Sequence, residues 1–147
     1  MNTEKRPVGL RHKAMYIADE YNTMDGEYKN NSDVWGLSIG KAQWRSGTPV
    51  FEPSVKVLRI KNGRFSPQSE ETTFTRALDM ATFVIKVYSA IRKGEMPKGF
   101  CSVHDNIQIE KIKADYDAEM IDYLTRNKED IDEHIKYLQR TIKESGI

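Results

Sequence analysis

Residues 54–68, SVKVLRIKNGRFSPQ, place two runs of strand-forming residues on either side of Asn62-Gly63. Asn-Gly is favoured at the centre of a two-residue type I′ β-turn, because both positions need a positive φ. The stretch therefore predicts a β-hairpin in which strand Ser54–Ile60 is followed by strand Arg64–Gln68. Because Pro67 has no backbone N–H to donate, the returning strand should end early or lie at a sheet edge.

Two further strands are predicted before this hairpin. A short one covers Ala14–Ile17, and a longer one covers Val34–Trp44, where large apolar residues alternate with small ones. Alternation with a period of two is typical of a β-strand. One face of the longer strand carries only small side chains: Gly36, Ser38, Gly40 and Ala42. That smooth face would permit close approach by a helix, or by a flat ligand beside Trp44.

The rest of the chain is predicted to be mainly helical. Apolar residues recur at helical spacing over Phe74–Lys93, and Gly94 follows as a stop signal. Residues 100–147 read as a helical tail with two amphipathic segments, and Asn127 is placed to cap the second. A helical hairpin is the preferred interpretation, although one long helix stays open. The fold class is thus α+β: an antiparallel sheet of three to four strands packed by one long helix, plus a C-terminal helical hairpin.

Length and composition indicate a single domain and a reducing compartment. The chain has 147 residues, of which 31% are charged, yet its net charge is only +1 and no long block carries one sign. We therefore expect no nucleic-acid partner.

Cys101 is the one cysteine, which fits the cytoplasm. No segment resembles a signal peptide or the apolar run of a membrane span, so no membrane association is expected. The first part of the domain, residues 1–33, should be rich in loops.

The middle of the chain resembles a family of small bacterial proteins of unknown function. The resemblance extends from Asp25 to about Ala81. It rests on Ser32-Asp33, Gly36-Leu37-Ser38, Gly40, Ala42-Gln43-Trp44, Ser54, Lys56-Val57, Arg59, Gly63, Ser66, Gln68-Ser69-Glu70-Glu71, Arg76 and Leu78-Asp79. It implies no particular activity. It does imply that a functional surface would be built from these residues, with the helical tail as a more variable accessory.

The richest group of polar residues lies where the hairpin leads into the long helix. Arg59, Gln68, Glu70 and Arg76 could converge there on an anionic metabolite, since a helix N-terminus offers unpaired N–H groups. The structural alternative is favoured: Ser69 or Thr73 caps the helix, and Arg59 forms a cross-strand charge pair with Glu70. Trp44 is a further candidate ligand-binding residue, because it borders the smooth strand face.

Other chemistry is weakly indicated. Glu70 and Glu71 are adjacent in an extended segment, so they should point to opposite faces and not share a site. The three histidines have no metal-ligand spacing, and no cofactor loop is present, so neither a metal nor a cofactor is expected. Cys101 and His104 suggest a nucleophile and base, but a partly buried thiol is the more probable interpretation.

We therefore expect a small binding or interaction module without catalytic activity, whose ligand is unknown. The alternative is a small enzyme or a sensor that acts on an anionic metabolite at the junction of sheet and helix. The sequence leaves open whether the protein is an enzyme. The apolar stripes of the C-terminal helices are also compatible with a homodimer formed through them.

Overall fold

The computed structural model describes residues 9–147. The chain divides into two compact units, Met1–Leu78 and Asp79–Ile147, and each is described by itself. The expectation of a single domain stays a prediction. The first eight residues of the segment predicted to be rich in loops lie outside the described residues. Within the described chain, no helix combines the length and the apolar character needed to cross a membrane.

The first unit contains an antiparallel sheet of five strands, which confirms the predicted α+β class. Strands β1 to β3 lie side by side in chain order, and β3 then pairs with both β4 and β5. Their bounds are Lys13–Ala18, Val34–Lys41, Pro53–Lys61, Arg64–Phe65 and Glu71–Thr73 for β1 to β5. Strand β2 is shorter than predicted, because a 3-10 turn over Gln43–Arg45 follows it.

The predicted Asn62-Gly63 hairpin is confirmed. Both turn residues have positive φ, 51° and 74°, and Ile60 pairs with Phe65 across the turn. The returning strand ends at Phe65, so the prediction that it reaches Gln68 is wrong. The missing N–H of Pro67 accounts for the early end. The chain then returns to β3 as β5, where Lys56 pairs with Glu71.

Strand β3 is buried on one face and half-buried on the other, so apolar residues occur on both. Leu58 is buried on what we call the inner face of the sheet, together with Ser54 and Lys56. Val57 and Arg59 lie on the opposite, outer face because successive side chains of a strand alternate. The bulge in this region lies in β2, where Trp35 is an extra residue between the positions that pair with Leu58 and Arg59.

The glycines of β2 allow the backbone of β1 to approach this strand closely. A Cβ atom at Gly40 would lie 2.0 Å from the backbone oxygen of Lys13, and one at Gly36 would lie 2.9 Å from the oxygen of Ala18. The register of β1 against β2 shifts between Ala14 and Tyr16, within this close contact. Glycine is therefore required sterically at Gly40, where any side chain would collide with β1.

Helix α1 spans Phe74–Arg92, in agreement with the prediction. It ends at Gly94, whose φ of 67° is left-handed. The N–H of Gly94 donates to the carbonyl of Ile91, and the N–H of Glu95 donates to that of Ala90. This pair of bonds is a Schellman motif, which satisfies carbonyls that the helix end leaves without partners.

The second unit ends in a pair of helices, as predicted. Helix α2 spans Asp117–Arg126 and α3 spans Lys128–Ser145, so residues 107–145 do not form one helix. Asn127 separates them, but its side chain does not cap α3. Instead, its Nδ2 donates to the carbonyl of Tyr123, 2.9 Å away, and so caps the end of α2.

A two-stranded hairpin opens the region that was predicted to be entirely helical. Strands β6, Gly99–Cys101, and β7, His104–Gln108, pair with each other. Their short, polar sequence lacks the alternating pattern that identified the other strands. The hairpin places Cys101 directly opposite His104.

We predict that Gly40→Ala destabilises the protein by about 2 kcal/mol or more, because the added methyl group meets strand backbone that cannot move aside cheaply. Gly36→Ala should destabilise the protein less, because a Cβ atom at Gly36 would lie farther from the backbone of β1 than one at Gly40. Thermal or urea unfolding of both variants, with Ser46→Ala as an exposed control, measures the difference. Equal stability of the two glycine variants would contradict the close packing of β1 on β2.

Candidate functional site

The inner face of the sheet buries a cluster of polar side chains, here called the inner cluster. Its members are His12, Ser38, Ser54, Lys56 and Glu71. The first four expose at most 1% of their surface, and the Glu71 side chain exposes 1%. Buried ionisable groups are rare unless they are paired, because removing charge from water costs several kcal/mol. The paired strands supply this arrangement, since Ser38 lies opposite Lys56 and Lys56 lies opposite Glu71.

His12 is the centre of the inner cluster. Its Nδ1 lies 2.7 Å from Oε1 of Glu71 and 3.0 Å from Oγ of Ser54, while its Nε2 lies 2.9 Å from Oγ of Ser38. An unprotonated Nδ1 would be repelled by a carboxylate oxygen at this distance, so the ring proton belongs on Nδ1, whose hydrogen-bond partner is Ser54 Oγ. Glu71 Oε1 contacts the same nitrogen but has no hydrogen-bond partner among the described residues. Nε2 then accepts the hydroxyl proton of Ser38.

Burial keeps His12 neutral. Desolvation lowers the pKa of the imidazole, and the positive charge of Lys56 lowers it further. The Glu71 carboxylate, 2.7 Å from Nδ1, opposes both effects through its negative charge, but burial is the larger influence on the pKa. The pKa of Lys56 is also lowered by burial, against the charges of Glu71 and Glu70. Lys56 Nζ donates to the carbonyl of Ser69, 3.1 Å away.

The order Ser38, His12, Glu71 matches that of a serine nucleophile, its base and the carboxylate that orients the base. However, Ser38 lies in the middle of β2 and exposes 1% of its surface. A substrate carbon cannot reach its Oγ in this structure. The inner cluster is therefore a buried group of polar side chains that is closed to a substrate in this structure.

The outer face of the same strands lines an open cleft, with Leu37 and Val57 among the residues that form its wall. Its cavity volume is about 610 Å³, within the range of small-molecule sites. The polar and aromatic residues of the cleft are Tyr21, Asp25, Tyr28, Asn31, Ser32, Asp33, Arg59 and Glu70. The loop between β1 and β2 supplies the first six of them.

Arg59 is held between two carboxylates at the edge of the cleft. Its Nε and Nη2 donate to the two oxygens of Glu70, each at 2.9 Å, and its Nη1 donates to Oδ1 of Asp33 at 2.6 Å. The hydrogen bonds from Arg59 lower the pKa of Glu70 to about 2. This cross-strand pair is the structural alternative that the sequence favoured. It fixes the guanidinium in one orientation, since a bidentate pair restricts geometry.

Asp25 organises the opposite side of the cleft. Its Oδ2 accepts the hydroxyl proton of Ser32 at 2.6 Å, and Ser32 Oγ in turn accepts the N–H of Val34 at 2.9 Å. Burial raises the pKa of the Tyr21 hydroxyl, and the charge and hydrogen bonding of Asp25 raise it further. Tyr21 therefore stays a neutral donor beside a carboxylate.

The structure brings together two of the five residues that the sequence singled out for ligand binding. Arg59 and Glu70 line the cleft, whereas Gln68 is an exposed turn residue whose N–H donates to Ser66 Oγ. Trp44 Nε1 donates to Glu52 at 2.8 Å, and the positive charge of Arg76 helps to lower the pKa of Glu52. Trp44 and Arg76 thus belong to a separate exposed group.

Four minor interpretations of the sequence can be compared with the structure. Thr73 Oγ1 accepts the N–H of Arg76 at 3.3 Å and so caps α1, one of the two capping residues proposed. Glu70 and Glu71 do face opposite sides of the sheet. In the part of the chain that the structure describes, no three His, Cys, Asp or Glu side chains cluster closely enough to hold a metal ion. His104 is exposed, while Cys101 is half-buried.

The inner cluster was not found from the sequence. His12 stands alone in a segment that reads as loop, and Lys56 and Glu71 each look like ordinary surface residues. One signal was present: Ser54, Lys56 and Leu58 share a strand face with Ser38 on the next strand, so a buried Leu58 implies a buried lysine.

An antiparallel sheet with a polar interior and an open polar cleft defines a small α+β protein with a candidate ligand site. Residues 3–146 match the model of a family of unknown function, DUF6530. The chain belongs to this family. No curated protein and no solved structure matches the chain.

We predict that the ion pair between Arg59 and Glu70 contributes less than about 1 kcal/mol to the free energy of unfolding near neutral pH. The reason is that the Glu70 side chain is 62% exposed, so water screens the pair. The pKa of Glu70 is about 2 when folded and about 4.5 otherwise. The stabilisation that Glu70 provides is therefore complete above about pH 4.5 and is lost as the pH falls towards 2. A double-mutant cycle with Arg59→Met and Glu70→Gln measures it. Coupling that does not change between neutral and acidic pH would contradict this pairing.

Proposed function

We propose that the protein is a small binding module and that the cleft on the outer face of the sheet is its ligand site. The observation that carries the proposal is the cleft itself, which is polar, open and of a size that suits a small molecule. The fixed orientation of Arg59 supports it, since binding costs less when the polar groups are already in place.

The charges of the cleft favour a ligand with an organic ammonium or guanidinium group. Asp25, Asp33 and Glu70 are three carboxylates, and Arg59 is the one guanidinium among the lining residues that the structure describes. A cleft in which one sign of charge prevails concentrates ions of the opposite sign. A cation is therefore the complementary ligand.

The two tyrosines support the same class of ligand. Tyr28 is 60% exposed and Tyr21 is half-buried, and both contribute to the wall of the cleft. An aromatic ring attracts a cation to its face with about 0.5–2 kcal/mol, depending on desolvation. A ligand with a cationic head and a short apolar body would use the carboxylates and the aromatic rings together.

The alternative of an anionic metabolite has less support. All the contacts that orient the guanidinium of Arg59 go to Glu70 and Asp33, so an anion would have to displace a carboxylate. Gln68 and Arg76, the other residues of that hypothesis, are not among the lining residues of the cleft. An enzyme or sensor acting on an anion at the sheet–helix junction is the second candidate.

We predict that phenethylammonium, at millimolar concentration, raises the melting temperature and shifts the NMR signals of the Tyr21 and Tyr28 rings. A ligand that binds only the native state must stabilise it. Phenylpropionate, which has a similar body and the opposite charge, is the matched control and should do neither. Asp33→Asn should weaken the response to the ammonium probe several-fold. A response to phenylpropionate or inorganic phosphate alone would favour the anionic alternative.

A bacterial, cytoplasmic setting is also proposed. The single cysteine, Cys101, supports a reducing compartment, because proteins of oxidising compartments commonly use cysteines in pairs. The bacterial source rests on the resemblance noted in the sequence.

We further propose a homodimer through α3. The apolar stripe Ile131, Ile135, Leu138 and Ile142 is symmetric about its midpoint. In an antiparallel pair, Ile131 of one copy would face Ile142 of the other, and Glu133 would face Arg140. An isologous interface needs such self-complementarity. Ile142 is 54% exposed, and the other three residues of the stripe are half-buried, so a second copy could cover more of each.

We predict that light scattering after size exclusion gives twice the 17.0 kDa chain mass at high concentration. Glu133→Lys alone or Arg140→Glu alone would place like charges opposite each other twice and should shift the protein towards monomer. The variant with both substitutions should recover the dimer, because opposite charges face again. A monomer of the original chain at all concentrations would rule out this interface.

A further inference from the structure

A further cavity lies in the unit Asp79–Ile147, beside helices α1 and α2, and is here called the helical pocket. Its volume is about 550 Å³, within the range of small-molecule sites. Its described lining residues all belong to this one unit. Most of them are apolar, and the side chains that matter for the argument are Phe83, Val87, Ile91, Met96, Met120 and Ile121.

One wall of the helical pocket is a face of α1. Phe83, Val87 and Ile91 follow each other at intervals of four positions, so their side chains lie on the same side of the helix. The ring of Phe83 is stacked with that of Phe100 in β6, with the ring centroids 6.3 Å apart. Aromatic stacking is favourable, so this contact helps to fix Phe83 in the position that lines the pocket.

The other apolar side chains of the pocket are partly open to water. Met96, which follows α1, and Met120 and Ile121 of α2 are each about half exposed. A ligand that covered them would remove apolar surface from water, which favours binding. Methionine is unbranched and adapts its shape to different partners. This part of the wall can therefore fit itself to a ligand.

The apolar surface continues beyond the helical pocket. Ile91 and Ile121 also line a smaller cavity of about 200 Å³, together with Tyr88 and Leu124. The two cavities thus adjoin each other at these isoleucines. An elongated apolar ligand would cover more of this surface than a compact one.

Charged side chains of both signs form what we call the rim of the helical pocket. They are all exposed and comprise three carboxylates and two ammonium groups: Glu95, Glu110, Asp117, Lys111 and Lys113. Lys111 Nζ donates to Oδ2 of Asp117 at 2.5 Å, so these two charges offset each other. No sign prevails as it does in the cleft. An anionic head group would meet Glu95 and Glu110, and a cationic one would meet Lys113, and like charges repel.

We propose that the helical pocket binds an uncharged, chain-like apolar molecule with a hydroxyl at one end. The alkyl chain would lie against Val87, Met120 and Ile121. The hydroxyl would lie at the rim, because it can donate to a carboxylate and accept from an ammonium group. The inference does not depend on the cleft, whose proposed ligand is a cation.

The test is an NMR titration of the full chain with octan-1-ol. The methyl signals of Val87, Met120 and Ile121 should shift, and the melting temperature should rise, because a ligand that binds only the native state stabilises it. Octanoate and octylammonium are the matched controls, since they carry chains of similar length and charged heads of opposite sign. Both should bind several-fold more weakly than the alcohol.

Two matched variants show whether the alcohol occupies this pocket. Ile121→Gln should weaken the affinity for octan-1-ol about tenfold, because it replaces an apolar side chain that the ligand would cover. Ile112→Gln should leave the affinity unchanged, since Ile112 is 83% exposed and is not among the residues that line the pocket. If Ile121→Gln does not fold, the methyl shifts of the original chain decide, because they need no substitution.

Methyl shifts at the pocket and a preference for octan-1-ol support the inference. It is overturned if none of the three probes shifts these signals, or if octanoate or octylammonium binds as tightly as the alcohol. Equal weakening by both glutamine variants would mean non-specific association and would overturn it as well. If the same signals instead follow the protein concentration without any probe, a second copy of the chain covers the pocket and the inference is wrong. Binding of phenethylammonium to the cleft is a separate result, read from the Tyr21 and Tyr28 rings.

Discussion

The 2.7 Å contact between His12 Nδ1 and Glu71 Oε1 joins two parts of the chain 59 positions apart in a sheet that has little apolar interior. The buried apolar residues of the described part of this unit are Leu10, Val34, Trp35, Ala42 and Leu58. With so few, the inner face is formed largely by polar groups, most of which are paired with one another. A buried polar network is favourable only when its members are paired. If one partner is lost, the remaining group stays buried without a hydrogen bond, and its desolvation is no longer compensated. The remaining features of this sheet follow from that requirement.

The strand register meets the requirement by placing each polar residue of the inner face beside another. Ser38, Lys56 and Glu71 form one row across three strands, and His12 closes the row from the segment that precedes β1. The same alternation sends Val57, Arg59 and Glu70 to the outer face. The cleft and the polar interior are therefore two sides of the same strands.

Local signals in the sequence were sufficient to predict the β-turn and the long helix α1. Asn62-Gly63 has a steric reason to form its turn, and the apolar spacing of α1 has a packing reason to form its helix, so both were predicted. The hairpin of β6 and β7 was missed because its residues carry no periodic pattern. The pair of Arg59 and Glu70 was anticipated because the two lie near each other along the hairpin. The position of His12 depends on pairing between segments far apart in sequence, which no local pattern encodes.

The central claim is that His12 is a neutral, buried imidazole whose proton lies on Nδ1, the nitrogen that faces Ser54 Oγ and Glu71 Oε1. Nitrogen-15 NMR of the histidine side chains near neutral pH tests this most directly, because the two ring nitrogens differ strongly in shift according to which is protonated. The account predicts a protonated Nδ1 and an unprotonated Nε2 for His12. A charged ring, or a proton on Nε2 alone, would contradict it.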